Sequence, residues 1–341
     1  MKATIKDIAR NLNVSVGLVS TVLNGRSDEL RISEKMQKKV LEEAKRLNYT
    51  PNLAAKSLRT GKLNTIGVLF PDISNPFFAK LARHIENAAD HHGYNIIFSS
   101  SDEDAKKFET QVYDLRNGKV DGFILFPPPG SDHVVQDLVK AKVPLVLVDR
   151  NFKDIKTTNI LINNYQSSKN ATNHLLEQNF QKIVHFTVNL ELEIMKERLR
   201  GFSDSLQEKN IPVLENNNLF VFNFPTLEED IASCMDKLMG SDRKPDAIFC
   251  STNKITVMVL DILKDKNISI PSDVALLSFD DPEFFRLMAP SITGLAQPLN
   301  KMGEKAVNCL LQRFNKKSKG EPENYLFDAE LIVRDSTLKN H

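Results

Sequence analysis

At 341 residues the chain is long enough for two or three domains and a large apolar core without covalent staples. Its three cysteines, Cys234, Cys250 and Cys309, share no CxxC or CxxH spacing; this excludes a disulfide framework and a cysteine zinc site, and no apolar run approaches the roughly 18 residues of a helical membrane span. The net charge of +1 hides an asymmetry, because residues 1–62 carry 13 Lys and Arg against 6 Asp and Glu. A basic head on an acidic body is the pattern of a nucleic-acid-binding module joined to something else. The amphipathic start, MKATIKDIARNL, has no signal-peptide core, so a cytoplasmic protein is expected.

In chain order, Thr4 with Asp7 opens a first helix, IKDIARNL, whose inner side is Ile5, Ile8, Ala9 and Leu12. Asn13 sits at a tight turn, where asparagine tolerates positive φ. Ser15 caps a second helix with Leu18, Val19, Val22 and Leu23 inward, and Asn24-Gly25 ends it. Ser33 caps a third, EKMQKKVLEEAKRLN. Two short helices joined by a turn and braced by a third predict a helix-turn-helix. Its second helix would enter the major groove with Val16, Gly17 and Thr21 at base edges and Ser15 and Ser20 at phosphates. Pro51 then breaks the third helix, and Asn52 can cap LAAKSLR, which is too short to be a stable helix alone in water.

These spaced motifs, from TIKDIARNLNVS through VLNG to KRLNYTPNLAAKSLRTGK, resemble the head and hinge of the lactose-repressor (LacI/GalR) family of bacterial transcription regulators. The resemblance implies DNA contacts from Thr4, Ser15, Val16, Gly17, Ser20, Thr21 and Asn24. It also implies paired hinge helices in the minor groove, contributing Asn52 and Ala55, with Leu58 wedged into a central base step. The family pattern VSxxTVSRVLNG has a threonine where this chain has Leu18, an arginine where it has Thr21, and commonly a glycine where it has Asn13. The operator half-site should therefore differ from well-known ones.

From Asn64 apolar strand runs alternate with amphipathic helices, in two successive sets. That pattern predicts an α/β body of two doubly wound parallel-sheet subdomains, of periplasmic-binding-protein type, with a cleft at the carboxyl ends of the strands. The expected division is a head at 1–49, a hinge helix at 50–63 and a ligand-binding domain at 64–336. Within the last, the first subdomain spans about 64–160 plus 291–320, and the second about 161–290 plus 321–336. The segment SITGLAQPLNKMGEKAVNCLLQRFNKK returns to the first half, a hinge arrangement suited to closure.

Polar residues gather at the strand ends: Asp72 and Asn75, Ser100 and Ser101, Asp149 and Arg150, Asn253, and Asp280. Arg198 stands at the head of a helix, and Phe77, Phe78 or Phe224 can form an apolar wall. The set suits a polyhydroxylated small molecule, and the resemblance agrees at Asp149, Arg198, Asn253, Asp280 and Gln297. Asp281, beside Asp280, reads as a cap or surface carboxylate. There is no GxxxxGK[ST], no GxGxxG after a strand and no GxSxG, and two adjacent strand-end carboxylates make a poor acid/base pair. An enzyme is not expected, nor a metal or cofactor. The expected protein is a sugar-responsive repressor that binds a palindromic operator as a homodimer. A solute-binding protein of a transport system is the alternative, and the basic head and missing signal peptide oppose it.

Overall fold

The computed structural model describes residues 3–23, 27, 31–49, 62–215, 217–241, 244–314 and 321–339. The chain forms two compact units, Met1–Leu63 and Asn64–His341.

In the first unit, α1 (Ile5–Leu12), α2 (Val16–Leu23) and α3 (Glu34–Arg46) enclose Ile8, Ala9, Val19, Val22, Val40 and Ala44. Asn13 adopts φ 52 and ψ 47 between α1 and α2. Its left-handed backbone lets the Val14 N–H reach back to the Ala9 carbonyl at 3.0 Å and close the turn. Asn11 donates to Glu43 at 2.7 Å, and Arg46 grips the same carboxylate. Arg46 and then Asn11 hold the Glu43 carboxyl down to about 2, so α1 and α3 are fastened through one ionised side chain.

The second unit begins with β1 (Thr65–Phe70), α4 (Pro76–Asp90), β2 (Asn95–Ser100), α5 (Ala105–Arg116), β3 (Gly122–Leu125), α6 (Asp132–Lys140), β4 (Leu145–Val148) and β5 (Thr158–Ile162). It continues with α7 (Asn164–Glu177), β6 (Ile183–Val188), α8 (Glu193–Gln207), β7 (Leu219–Phe222), α9 (Leu227–Met239), β8 (Ala247–Cys250), α10 (Asn253–Asp265), β9 (Ala275–Phe279) and β10 (Thr293–Ala296). It closes with α11 (Leu299–Phe314), β11 (Asn324–Phe327) and β12 (Glu330–Ile332). Every residue of β3, β4, β6, β8 and β9 is buried. Their unbroken apolar runs reflect sheets covered on both faces.

The strands form two six-stranded sheets, one per lobe, in the orders β11-β5-β4-β3-β1-β2 and β12-β10-β9-β8-β6-β7. All pairs are parallel except β10 with β12. Two expected assignments are corrected. β10, within 291–320, joins the second sheet beside β9, and β11, within 321–336, joins the first beside β5. α11 does pack on the first lobe, against α4, β3 and β4. The chain therefore crosses between lobes three times, after Ile162, Ala296 and Phe327. Two crossings are tied together where Asn163 Nδ2 donates to Asp328 Oδ1 at 3.0 Å.

Candidate functional site

In the head, Ser15 Oγ accepts from the Leu18 N–H at 3.1 Å and caps α2. Val16 is apolar yet 41 % exposed, and Gly17 is exposed beside it. A Cβ at Gly17 would meet nothing closer than Ser15 Oγ at 3.9 Å, so packing does not require glycine there. The start of α2 thus presents small side chains to solvent, as close approach to another surface requires. Ser20 is half-buried, and the Thr21 hydroxyl donates back to the Gly17 carbonyl at 3.0 Å. Thr4 is committed locally, its N–H and hydroxyl both donating to Asp7, at 2.9 and 2.7 Å. Asn24, Asn52, Ala55 and Leu58 lie outside the described residues.

In the body, eight of the ten expected ligand residues line one cavity of about 70 Å³ between the lobes. They are Asn75, Phe77, Asp149, Arg198, Phe224, Asn253, Asp280 and Gln297, joined by Phe78, Glu103, Arg150, Ile194, Met195, Thr252 and Lys254. Asp72 and Ser100 are not among them. Asp72 Oδ1 accepts from the Ser74 N–H and hydroxyl, and Ser100 Oγ from the Ile73 N–H at 3.1 Å. Ser100 ends β2, an edge strand of its sheet, and Asp72 follows β1; both hold the loop at 72–74 instead. Arg198 lies inside α8, not at its head, and Asp281 is held by a two-toothed ion pair with Arg334 at 2.7 and 2.8 Å.

Asp149 and Asp280 each follow a buried strand, β4 and β9, and each has a left-handed backbone, φ 66 and φ 78. That conformation turns both carboxylates into the cavity. Burial pushes both above the usual carboxylate range, against the pull of Arg150 and Arg198 on Asp149 and of Arg198 and Gln297 on Asp280. Asp280 accepts from Gln297 Nε2 at 2.7 Å. Arg198 spans the core of the site. Its Nε donates to Asn164 Oδ1 at 2.8 Å, its Nη1 to the Ser251 carbonyl at 2.6 Å, and its guanidinium stacks 3.5 Å from the Phe279 ring centroid. Arg150 donates through both terminal nitrogens to Glu103, at 2.6 and 2.7 Å. Asn75 and Asn253 exchange amide hydrogen bonds across the lobes, at 3.2 and 2.9 Å.

Sequence reasoning did not single out Glu103 or Asn164 as site residues. Glu103 sits in the acidic run SDEDAKK and Asn164 in the polar string NNYQSS, and neither string marks a ligand residue. Among the described residues no group of three His, Cys, Asp or Glu is placed to hold a metal ion. No described helix is long and apolar enough to cross a membrane.

The geometry can be set beside known proteins. Residues 4–52 match the family model for bacterial regulatory proteins of the lacI family, and 172–337 the periplasmic binding protein-like domain. The HTH-type transcriptional regulator RegA of Clostridium saccharobutylicum is 31 % identical over 99 % of this chain and 100 % of its own. The chain belongs to the lacI family of bacterial regulatory proteins. Among other lacI relatives, the ribose operon repressor of Haemophilus influenzae is 31 % identical, covering 98 % of both chains. The crystal structure of the lac repressor dimer bound to operator and an anti-inducer shares the fold, with TM-score 0.84 and 21 % identity over 99 % of this chain and all of that one. The match to regulators runs through the head as well as the body, which sets aside the transport reading.

Proposed function

We propose that this lacI-family chain is a transcription repressor that binds a palindromic operator as a homodimer in the cytoplasm. A small sugar or sugar derivative held between the lobes controls that binding. The observation that carries the reading is the joining of two sites in one chain. A helix-turn-helix exposes Val16 and Gly17 with Thr21 half-exposed one turn on, and a body encloses two buried carboxylates, Asp149 and Asp280, between its lobes. The names of the relatives support it: one is a ribose operon repressor, another a lac repressor dimer seen on operator. Buried carboxylates and amides facing a cavity suit ligand hydroxyls, and Phe77 and Phe224 give an apolar wall. The Asn52, Ala55 and Leu58 segment supplies the minor-groove contacts in this reading. The ligand acts by differential affinity for the closed and open body.

The test is selection of genomic fragments on the purified chain at moderate salt, followed by sequencing of the retained DNA. A recovered palindrome beside carbohydrate genes, released or tightened by a sugar those genes handle, is the expected result. Retention that is sequence-independent and vanishes with salt would overturn the operator reading.

A further inference from the structure

The cavity holds two arginines, and both are already occupied. Arg150 is buried, and Glu103 fills its fork with two charge-assisted hydrogen bonds of 2.6 and 2.7 Å. Arg198 is buried too, fixed by Asn164, the Ser251 carbonyl and the Phe279 ring. A phosphate is recognised best by a free guanidinium fork, whose paired N–H groups match two of its oxygens. Arg150 offers none, and Arg198 has already committed Nε and Nη1 to separate acceptors. What remains unfilled is of the opposite kind: the Asp149 carboxylate is 3.6 Å from Arg150 Nε, beyond hydrogen-bond length, and Gln297 Oε1 is buried without a partner. Among the described lining residues, the buried donor without a partner is Arg150 Nε, a single N–H; the Lys254 ammonium, also in the lining, belongs to an exposed residue. The open positions therefore ask for ligand hydroxyls that donate, while Asp149 and Asp280 repel an anion.

We infer that Glu103 is a specificity-determining residue of this cavity. By filling the Arg150 fork it makes the site refuse phosphate esters and take uncharged, hydroxyl-donating sugars. The inference rests on the sugar reading above and narrows it. Removing the Glu103 charge leaves Arg150 the same buried position but an unclaimed fork, so it converts a closed ion pair into an anion site. Glu103 thus excludes one class of ligand by satisfying the group that would bind it.

The experiment titrates inorganic phosphate into the full chain by calorimetry. The samples are the wild type, Glu103→Gln, Glu103→Ala and the double variant Glu103→Gln/Arg150→Met. Because the basic head is the same in all four, differences report on the body. The expected result is phosphate binding at least about tenfold tighter in the Glu103 variants than in the wild type, with the gain absent from the double variant. Equal affinity in all samples overturns the inference, as does a gain that survives loss of Arg150. If neither single variant folds, the wild type alone decides, by thermal shift with matched pairs of D-glucose and glucose 6-phosphate and of D-ribose and ribose 5-phosphate. A phosphate ester that stabilises it as much as its free sugar overturns the inference, and stabilisation by a free sugar alone supports it. Silence of every free sugar, with the phosphate gain in place, sinks the sugar reading and leaves the role of Glu103 standing.

Discussion

Asp149 shows how much of the cavity is decided by single residues. Its side chain is almost wholly enclosed, and burial raises its pKa despite Arg150 and Arg198 nearby. A carboxyl raised above its unfolded value binds more protons folded than unfolded in the window between the two. Its contribution to stability therefore falls as pH rises through that window. Asn fits the same left-handed backbone, so Asp149→Asn should raise the Tm of the body by about 2–4 °C at pH 7 and lose that advantage below the usual carboxylate range. Thermal melts of both proteins from pH 4 to 8 check this, and an unchanged difference across the series would refute it. Subtraction matters because His185 works in the opposite sense. Burial first, and then Arg198, push it down to about 3, so the folded body loses stability on acidification below the unfolded value near 6.5. At this scale Asp149 and Asp280 were legible because they sit in recognisable strings at strand ends, and Arg198 because it sits in the helical string RLRGF. Glu103 and Asn164 were not, since each acts through an arginine 47 and 34 residues away. No local pattern encodes such a partnership.

Elements place these residues through close backbone packing, and the sharpest case is α7 on α8. A Cβ at Gly201 of α8 would collide with the Tyr165 carbonyl and come within 2.8 Å of the Lys169 nitrogen. Glycine therefore sets how near the two helices lie. That nearness is what allows Arg198, one turn earlier, to reach Asn164, and the Ser168 hydroxyl to reach the Arg198 carbonyl at 2.5 Å. Gly201→Ala should destabilise the body by about 1–3 kcal/mol through overpacking and weaken sugar binding, although residue 201 does not line the cavity. Chemical denaturation with calorimetry on the same samples tests both effects, and wild-type sugar affinity would refute the second. In RLRGF, then, the arginine belongs to the site and the glycine to the scaffold that holds it. The alternation of strands and helices was legible throughout the body, since fully buried strands and amphipathic helices leave different apolar periods. The sheet membership of β10 and β11 was not. TGLA and NYLF are four-residue strands, and nothing in so short a string states which of two similar sheets will accept it.

Across the whole body, one buried apolar cluster includes residues of both lobes, and the polar links added to it are weak. Among the described residues, polar links between the lobes away from the three crossings include the Asn75–Asn253 amide pair and the ion pairs Lys80–Glu283 at 3.1 Å and Lys153–Glu193 at 2.6 Å. Lys80, Glu283 and Lys153 are all well exposed, so these ion pairs contribute little and are screened by salt. The amide pair is partly buried and makes two hydrogen bonds at once, which makes it the stronger latch. Both amides also line the cavity, whose volume of about 70 Å³ is below the several hundred Å³ of ordinary ligand pockets. Parting Asn75 from Asn253 would give a sugar the room that this form of the cavity lacks. The closed and open forms must then differ by little free energy, or the ligand could not govern the balance. Asn75→Ala removes both hydrogen bonds, together with the α4 cap that Asn75 Oδ1 makes with the Phe77 N–H, and leaves the Asn253 amide without its partner, so the open fraction should rise roughly tenfold. Small-angle scattering should show a more extended body. Amide exchange should quicken at the start of α10 and at the crossing segments 163–164, 296–298 and 328–329. Sugar should associate faster, because less of the protein waits in the latched form. An unchanged scattering profile with unchanged exchange would mean that packing at the crossings, rather than the amide pair, keeps the lobes together.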